Sequence, residues 1–394
     1  MCYNEKYGGD LVKFIHIGDL HLGKWICGHS MITMQKEVLF ELLTIMDQQD
    51  IRLLLIAGDV YDRLVPPTEA VELFNDFLTA AIRQYHIQVL MISGNHDSDE
   101  RLNFASQLLK SEGVYIASKL QKNWETCILK DEFGEIEFHL LPYIKPSQVK
   151  ELYPEVKVKT YQEALEYIIS LHPLDPKRRH VLMTHQFVAG GQQVQTSESE
   201  TILSVGGSEM VDVHLFDDYD YVALGHLHAP QAVSRQVVRY CGSLLRYSFD
   251  EVKQKKAVCK VDMKEKGNTV IEQISLHPTL TMQKYSGYFA DFIDETKGLV
   301  ENKHDYIAFE LLDESLIANA MDRLRMLYPN AMQLTYKQLL KEYDGKKTVA
   351  NLQLEKQDDF TLFKEFYQTI RDHELDDEKA SIIENILEKA KETK

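Results

Sequence analysis

Two runs in the first quarter of the chain, IRLLLIAGD at residues 51–59 and IQVLMISGN at residues 87–95, are apolar without alternation and stop at a glycine followed by a polar residue. Such a run suits a strand buried on both faces, the condition of an inner strand in a parallel sheet. The stretches between these runs carry the helical period. Met31, Met34, Val38, Leu42 and Ile45 recur at three and four, and after Pro66 and Pro67 a second helix runs through Phe74, Phe77 and Ile82, with Thr68 and Glu69 in its opening turn. With Leu11 to Gly18 as a further strand, the order strand, helix, strand, helix, strand predicts a layered α/β sheet.

Farther on, WETCILK and EIEFHLL flank DEFG and predict a hairpin over 124–141, helices follow from Pro146 to about Leu171, and RHVLM leads a strand to Thr184 and His185. The segment from Phe187 to Ser208 is rich in Gly, Gln, Ser and Glu and reads as a long functional or mobile loop. YDYVALG, VVRYCGS, KAVCKVD and TVIEQIS are four more strands. Composition changes near Thr281. The expected division is an α/β domain over 1–280, a small α+β accessory domain over 281–340 (strand HDYIAFELL, helix Ile317 to Leu327, strand AMQLTY) and a charged helical tail over 341–394. On the tail, Phe360, Phe363, Phe366, Tyr367 and Ile370 share one helical face, and Ile382, Ile383, Ile386 and Leu387 another.

With 44 basic and 61 acidic residues the formal charge is −17, so this chain does not coat nucleic acid by charge alone. A polyphosphate substrate would need positive charge from another source. No apolar stretch approaches the roughly 18 residues of a membrane span, and the start MCYNEKYGGD lacks the apolar run of a secretory signal; the expected location is the cytoplasm, with no membrane partner. Five cysteines without a C-x-x-C pair predict neither a disulfide framework nor a zinc knuckle.

Four short motifs stand just after predicted strands: Asp19-Leu-His21, Gly58-Asp59-Val-Tyr-Asp62, Gly94-Asn95-His96-Asp97 and Gly225-His226-Leu-His228, with Thr184-His185 ending a fifth. Ligands of open α/β sheets bind outside the carboxyl ends of the strands, so all five elements point to one rim. Carboxylate and amide oxygens with imidazoles, and no thiolate, suit divalent ions such as Mn, Fe or Zn in an open site. Each fragment alone recurs by chance in many chains. Five together, in order and each at a strand end, argue for a metal centre.

In that order, D-x-H, G-D-x-x-D, G-N-H-D, a strand-end histidine and G-H-x-H resemble the motifs of the calcineurin-like metallophosphoesterase family. The segments IHIGDLHLGK, LLLIAGDVYDRLVPPTEA, VLMISGNHDS, THQF, DYDYVALGHLHAPQ and RYCGSLLRYSFDE carry the likeness. The proline pair after GDVYDR and the stretch from GGSEMVD to LFDDYDYVALGHLH bring it closer to the SbcD-type nuclease subunits, the bacterial counterparts of the archaeal and eukaryotic double-strand-break repair nuclease. The resemblance runs from about residue 12 to the C-terminus and is strongest through residue 251.

It implies a metallophosphoesterase β-sandwich flanked by helices and two divalent metal ions, with Mn the expected metal. One ion would be held by Asp19, His21, Asp59 and His228, the other by Asn95, His185 and His226, with Asp59 bridging. His96 matches the family's catalytic histidine, and Asp97 either orients it or caps its turn. Asp62, Arg63 and Lys24 fall on the substrate side, although Asp62 stands where the archaeal and eukaryotic relatives carry a histidine. Like Lys24 and Arg63, Arg101 and Arg246 lie close in sequence to the motifs and are candidate phosphate contacts, although a solvated surface charge is the commoner role for any one of them. The implied partners are DNA, a second copy of the chain, and a coiled-coil ATPase of the SbcC type on which the tail would dock; the accessory domain resembles a DNA-capping domain. The implied activity is hydrolysis of DNA phosphodiester bonds, as a double-strand exonuclease and a single-strand and hairpin endonuclease, in repair, recombination and replication.

Two other readings use the same residues. A phosphoesterase for small substrates needs neither accessory domain nor tail, and a non-catalytic scaffold on a decayed fold should have lost a ligand or His96, none of which is missing.

Overall fold

The unalternating runs become inner strands. In the computed structural model, which describes residues 12–191, 194–200 and 209–337 with 379, 380 and 383, strands β1 (Lys13–Ile17), β2 (Leu53–Ala57), β3 (Gln88–Ile92) and β4 (Val114–Ala117) pair in parallel, with Ile15 opposite Leu54 and Leu54 opposite Val89. Helices α1 (Ile32–Gln48) and α2 (Thr68–Arg83) make the crossovers and bury the stripes Met34, Val38, Leu42 and Leu73, Phe74, Phe77. Pro67 stands just before α2, where its fixed φ and missing N–H cost nothing.

The predicted hairpin follows as β5 (Glu125–Asp131) and β6 (Gly134–Leu140). Helices α3 (Pro146–Leu152) and α4 (Tyr161–Ser170) come next, α4 opened by a reciprocal cap between Thr160 and Glu163. A second six-stranded sheet is then completed by β7 (Arg179–His185), β8 (Tyr221–Gly225), β9 (Gln231–Val233) and β10 (Arg235–Tyr240), with β6, β7, β8 and β10 parallel. The chain returns to the first sheet through β11 (Ala257–Met263), antiparallel to β1, and β12 (Thr269–Ser275) at the edge.

The two sheets stack face to face. Phe14, Leu55, Leu90 and Ile92 from the first meet Phe138, Val181, Met183 and Tyr221 from the second, and Phe14 stands edge-on to both Phe138 and Tyr221. Each such large side chain, fully buried, contributes about 1.5–3 kcal/mol. The outer face of the second sheet carries Leu182, Val222 and Leu224 against Val149, Leu165 and Ile168 of α3 and α4. Layering of this kind leaves the carboxyl ends of β1, β2, β3, β7 and β8 as one rim.

The chain divides into two units, residues 1–284 with 304–307 and residues 285–303 with 308–394. The second holds most of a three-stranded sheet of β13 (Met282–Gly287), β14 (Tyr306–Leu311) and β15 (Ala331–Tyr336). Its core gathers Phe292, Phe309 and Tyr328, whose hydroxyl donates to the Phe292 carbonyl at 2.8 Å. The expected helix Ile317 to Leu327 begins later, at Ala320, after Asn319 in the left-handed region. The apolar faces expected of the tail lie outside the described residues apart from Ile383.

Candidate metal centre

Past the strand ends the backbone turns sharply. Asp19, His21, Asp59 and His226 all have positive φ, at 53°, 44°, 50° and 106°. For non-glycine residues such conformations are uncommon and cost of order 1–3 kcal/mol each, so the surroundings must enforce them. Asp19 N donates to Gly58 O, His21 N to Asp59 O and Leu22 N to Val60 O, zipping the first two motif loops together. Gly94 and Gly225 are required by proximity: a Cβ on Gly94 would lie 2.1 Å from Asp59 Oδ1, and one on Gly225 1.9 Å from the Ala57 carbonyl oxygen.

The side chains so aimed converge. His21 Nε2 and His228 Nε2 face one another at 3.1 Å, and Asp19, His21 and His228 have ligand atoms within 4.8 Å of each other. Asp59 Oδ2 is 3.6 Å from His21 Nε2 and 3.3 Å from His185 Nε2, standing between the two halves of the rim. Asn95 Oδ1 lies 3.0 Å from His185 Nε2 and 3.1 Å from His226 Nδ1. Asp19 Oδ2 is buried without a hydrogen-bond partner among the described residues, and the two facing imidazole nitrogens are close enough to ligate one ion together. Oxygen and imidazole donors, some already bent out of regular backbone to reach one point, fit divalent metal ions.

Behind the rim, further groups orient these donors. His185 Nδ1 donates to the Ala57 carbonyl at 2.8 Å, so Nε2 is the nitrogen turned toward the rim. His228 Nδ1 is 3.2 Å from Glu251 Oε1 and 2.6 Å from Ser199 Oγ, while Lys256 Nζ sits 2.7 Å from the other Glu251 oxygen. Gln35 bridges loops, donating to His21 O at 2.7 Å and accepting from Gly23 N at 3.0 Å. Such outer contacts fix tautomer and ring angle.

The charges redistribute accordingly. Burial pushes Asp19 well above the carboxylate range. Burial works against the Asp59 anion too, but the neighbouring His185, His21 and His96 hold it well below that range. His185 is buried as well, yet Asp59 and Asp19 lift it to about 9. Burial drives His226 and His228 down to about 3, so both imidazoles stay neutral.

His96 stands at the edge, its ring 4.9 Å from that of His21; its backbone N donates to Asp59 Oδ1 at 2.9 Å and its Nδ1 to the Asp62 carbonyl at 2.9 Å. The Asp97 carboxylate accepts from the backbone N–H groups of Val60, Tyr61 and Gly94 at 2.9–3.1 Å, locking the second motif loop to the third. Asp62 lies 3.5 Å from His21 Nδ1 and 2.7 Å from Lys24 Nζ, with Arg63 4.0 Å away on its other oxygen. Arg246 is committed internally, to Thr281 Oγ1 and the carbonyls of Met282 and Gln254, so it is not a phosphate contact. Arg101 borders an open cleft of about 350 Å³ with Asn95 and Lys145. Glu251, Lys256, Gln35, Ser199 and Glu200 were not expected. The Ser197–Glu200 turn of the supposed long loop is tied to the site, because Glu200 Oε1 accepts from His228 N at 2.6 Å.

This fold, with this rim at the strand ends, defines a calcineurin-like phosphoesterase, and residues 12–230 match the family model of that description. Residues 278–370 match a second model, the type 5 capsule protein repressor C-terminal domain. Two relatives, each named as the SbcD component of the SbcCD nuclease, come from Staphylococcus epidermidis, 32% identical over 95% of this chain and 98% of its own length, and Staphylococcus saprophyticus, 31% identical over the same shares. Among solved structures, a dimetal phosphatase from Danio rerio is similar at a TM-score of 0.42, with 14% identity over 68% of this chain and 97% of that one. The chain belongs to the SbcD family of calcineurin-like phosphoesterases. No helix among the described residues is long and apolar enough to cross a membrane.

Proposed function

We propose that this chain hydrolyses phosphodiester bonds of DNA at two divalent ions, as an exonuclease on duplex ends and an endonuclease on hairpins and single strands, serving repair, recombination and replication in the cytoplasm. The observation that supports it most is the meeting of seven donor side chains in one rim with His96 beside them. Asp19, His21, Asp59 and His228 would hold one ion, and Asn95, His185 and His226, with Asp59 shared, the other. Such ions supply Lewis acidity toward phosphoryl oxygens and lower the pKa of water, and their charge answers the net −17 of the chain. The carboxylate and amide oxygens of Asp19, Asp59 and Asn95 suit Mn, the ion taken here as the working metal.

The remaining chemistry belongs to the chain itself. His96, its Nδ1–H held by the Asp62 carbonyl, would act as the imidazolium, giving the proton on Nε2 to the departing sugar oxygen. Asp97 is a positioning residue that holds the loops bearing Asp59 and His96 in register. Lys24, fixed by Asp62, and the exposed Arg63 receive flanking phosphates. The relatives' name, as the SbcD component of the SbcCD nuclease, supports a DNA substrate and an SbcC-type coiled-coil ATPase partner. We further take residues 1–280 as the nuclease domain, 281–340 as a DNA-capping domain and 341–394 as the segment that docks on that partner, in a heterotetramer built on a homodimer of this chain.

The test compares cleavage of a DNA hairpin with hydrolysis of p-nitrophenyl phosphate by the purified chain. The expected result is hairpin cleavage that chelation abolishes and Mn restores, outpacing the small ester. Turnover of the ester without any cleavage of DNA would instead favour a small-substrate phosphoesterase, and inertness toward both a scaffold.

A further inference from the structure

One polar cluster stands apart from the catalytic rim, on a face that is otherwise aliphatic. The outer face of the second sheet carries Leu141, Leu182, Val222 and Leu224, yet three positions of it are Glu137 and His139 on β6 and His180 on β7. Glu137 is the register partner of His180, and His139 lies two residues along the same strand, so the pleat sends all three side chains to one side. His139 and His180 are 5% and 1% exposed. His180 and His185 are five residues apart on one strand, roughly 16 Å at about 3.3 Å per residue, too far for the two sites to share an ion.

The hydrogen bonds decide which nitrogens are available. His180 Nε2 meets the Asp175 carbonyl at 2.8 Å, and only an N–H can face a carbonyl there. In the neutral ring Nδ1 therefore carries a lone pair. His139 Nε2 lies 3.0 Å from that Nδ1, close to the roughly 3.3 Å between two imidazole nitrogens bound to one tetrahedral ion at about 2.0–2.1 Å. Glu137 Oε2 is 3.9 Å from His180 Nδ1, and the ligand atoms of all three residues fall within 4.8 Å of one another. Glu137 also accepts from Arg178 at 3.2 Å, but that guanidinium has Glu135 at 2.8 Å and Asp175 at 3.7 Å as well, so releasing Glu137 strands no charge. A further polar side chain packs beside the cluster. The Tyr219 ring stands edge-on to His139 with 5.8 Å between centroids, and its hydroxyl, in a residue 3% exposed, has no hydrogen-bond partner among the described residues.

We infer that Glu137, His139 and His180 form a binding site for a borderline divalent cation of the zinc type, completed by water and distinct from the catalytic rim. Two imidazoles and one carboxylate are a donor set that such ions accept with an open position. Bound there, the ion would tie the β5–β6 hairpin to β7, a structural rather than a catalytic role. The inference is independent of the DNA-cleaving activity proposed above.

The experiment strips the full chain with chelator, reloads it with zinc alone, removes free metal, and counts ions per chain in wild type and in His139→Leu, which restores the aliphatic character of that face. One zinc fewer in the variant is expected, together with a smaller zinc-induced rise in Tm. Should His139→Leu fail to fold by circular dichroism, Glu137→Gln takes its place, keeping the shape and weakening uptake of that one equivalent by at least about tenfold. Equal zinc content and equal Tm shifts in wild type and a folded variant overturn the inference and leave the His139 to His180 contact as a plain hydrogen bond.

Discussion

Glu251 accepts from His228 Nδ1 at 3.2 Å with both side chains shut away from solvent, and Lys256 holds the opposite carboxylate oxygen at 2.7 Å. A carboxylate so placed fixes the imidazole as the tautomer whose Nε2 lone pair faces His21. Glu251 touches no atom that a substrate would reach, so its effect passes through His228.

Glu251→Ala is therefore expected to weaken Mn binding by about 10–100-fold while leaving the rate at saturating Mn near wild type. Isothermal titration of the metal-free protein, beside cleavage over a range of Mn concentrations, separates affinity from chemistry. A lowered rate at saturating Mn with unchanged affinity would mean that Glu251 serves some other purpose.

The opposite signature is expected for His96. Its Nδ1 is taken by the Asp62 carbonyl, and in the proposed mechanism Nε2 acts on the leaving group. His96→Ala should keep the wild-type metal content while the cleavage rate drops by about 10²–10⁴. Elemental analysis of the variant decides the role, because loss of an ion there would make His96 a ligand.

The rim was legible in the sequence for a physical reason. Each donor had to follow a strand directly, so the motif residues fell at the ends of apolar runs, and their glycines were needed where Gly94 abuts Asp59 and Gly225 abuts Ala57. The orienting residues carry no such mark. Glu251 is an acidic residue in a short helical turn, and only the fold shows that it faces inward. Gln35 left a faint signal, a polar side chain beside Met34 on the buried stripe of α1. The loop around Ser199 read as irregular because its order comes from hydrogen bonds to His228, made across 28 or 29 residues, and not from any local period. His139 and His180 belong to no motif, since neighbouring strands have to be put in register before they meet.

Gly94 offers a test of close packing. A methyl group there would come within 2.5 Å of the Asp59 backbone nitrogen and closer still to its carboxylate, so Asp59 must move. Gly94→Ala is expected to destabilise the fold by about 1–3 kcal/mol and to lower metal occupancy by displacing the carboxylate that stands between the two halves of the rim. Urea denaturation of the metal-free chain reads the first effect, and metal content at equal free Mn the second. Wild-type occupancy in a folded Gly94→Ala protein would show that the loop can retreat without Asp59.

His16 gives the sandwich its own share of the acid sensitivity, beside that of the buried rim histidines His226 and His228. Its Nδ1 lies 3.0 Å from the Tyr221 hydroxyl between the two sheets, and its Nε2 has no hydrogen-bond partner among the described residues. Burial, with help from the positive charge of Arg239, pushes its pKa down to about 3 from an ordinary value of 6.5. Between those values the unfolded chain holds a proton that the folded chain refuses. Stability is therefore complete above pH 6.5 and declines as the pH falls, by about 1.4 kcal/mol per unit for one such group. Lowering the pH from about 7.5 to about 5.0 should cost wild type about 2 kcal/mol through His16 alone. His16→Gln can keep a hydrogen bond to Tyr221 but takes up no proton when unfolded, so its stability should fall by about that much less. Urea midpoints and m-values for both proteins, in chelator so that metal release does not enter, give the difference; superimposable pH profiles would mean that His16 finds a way to be protonated in the native sandwich.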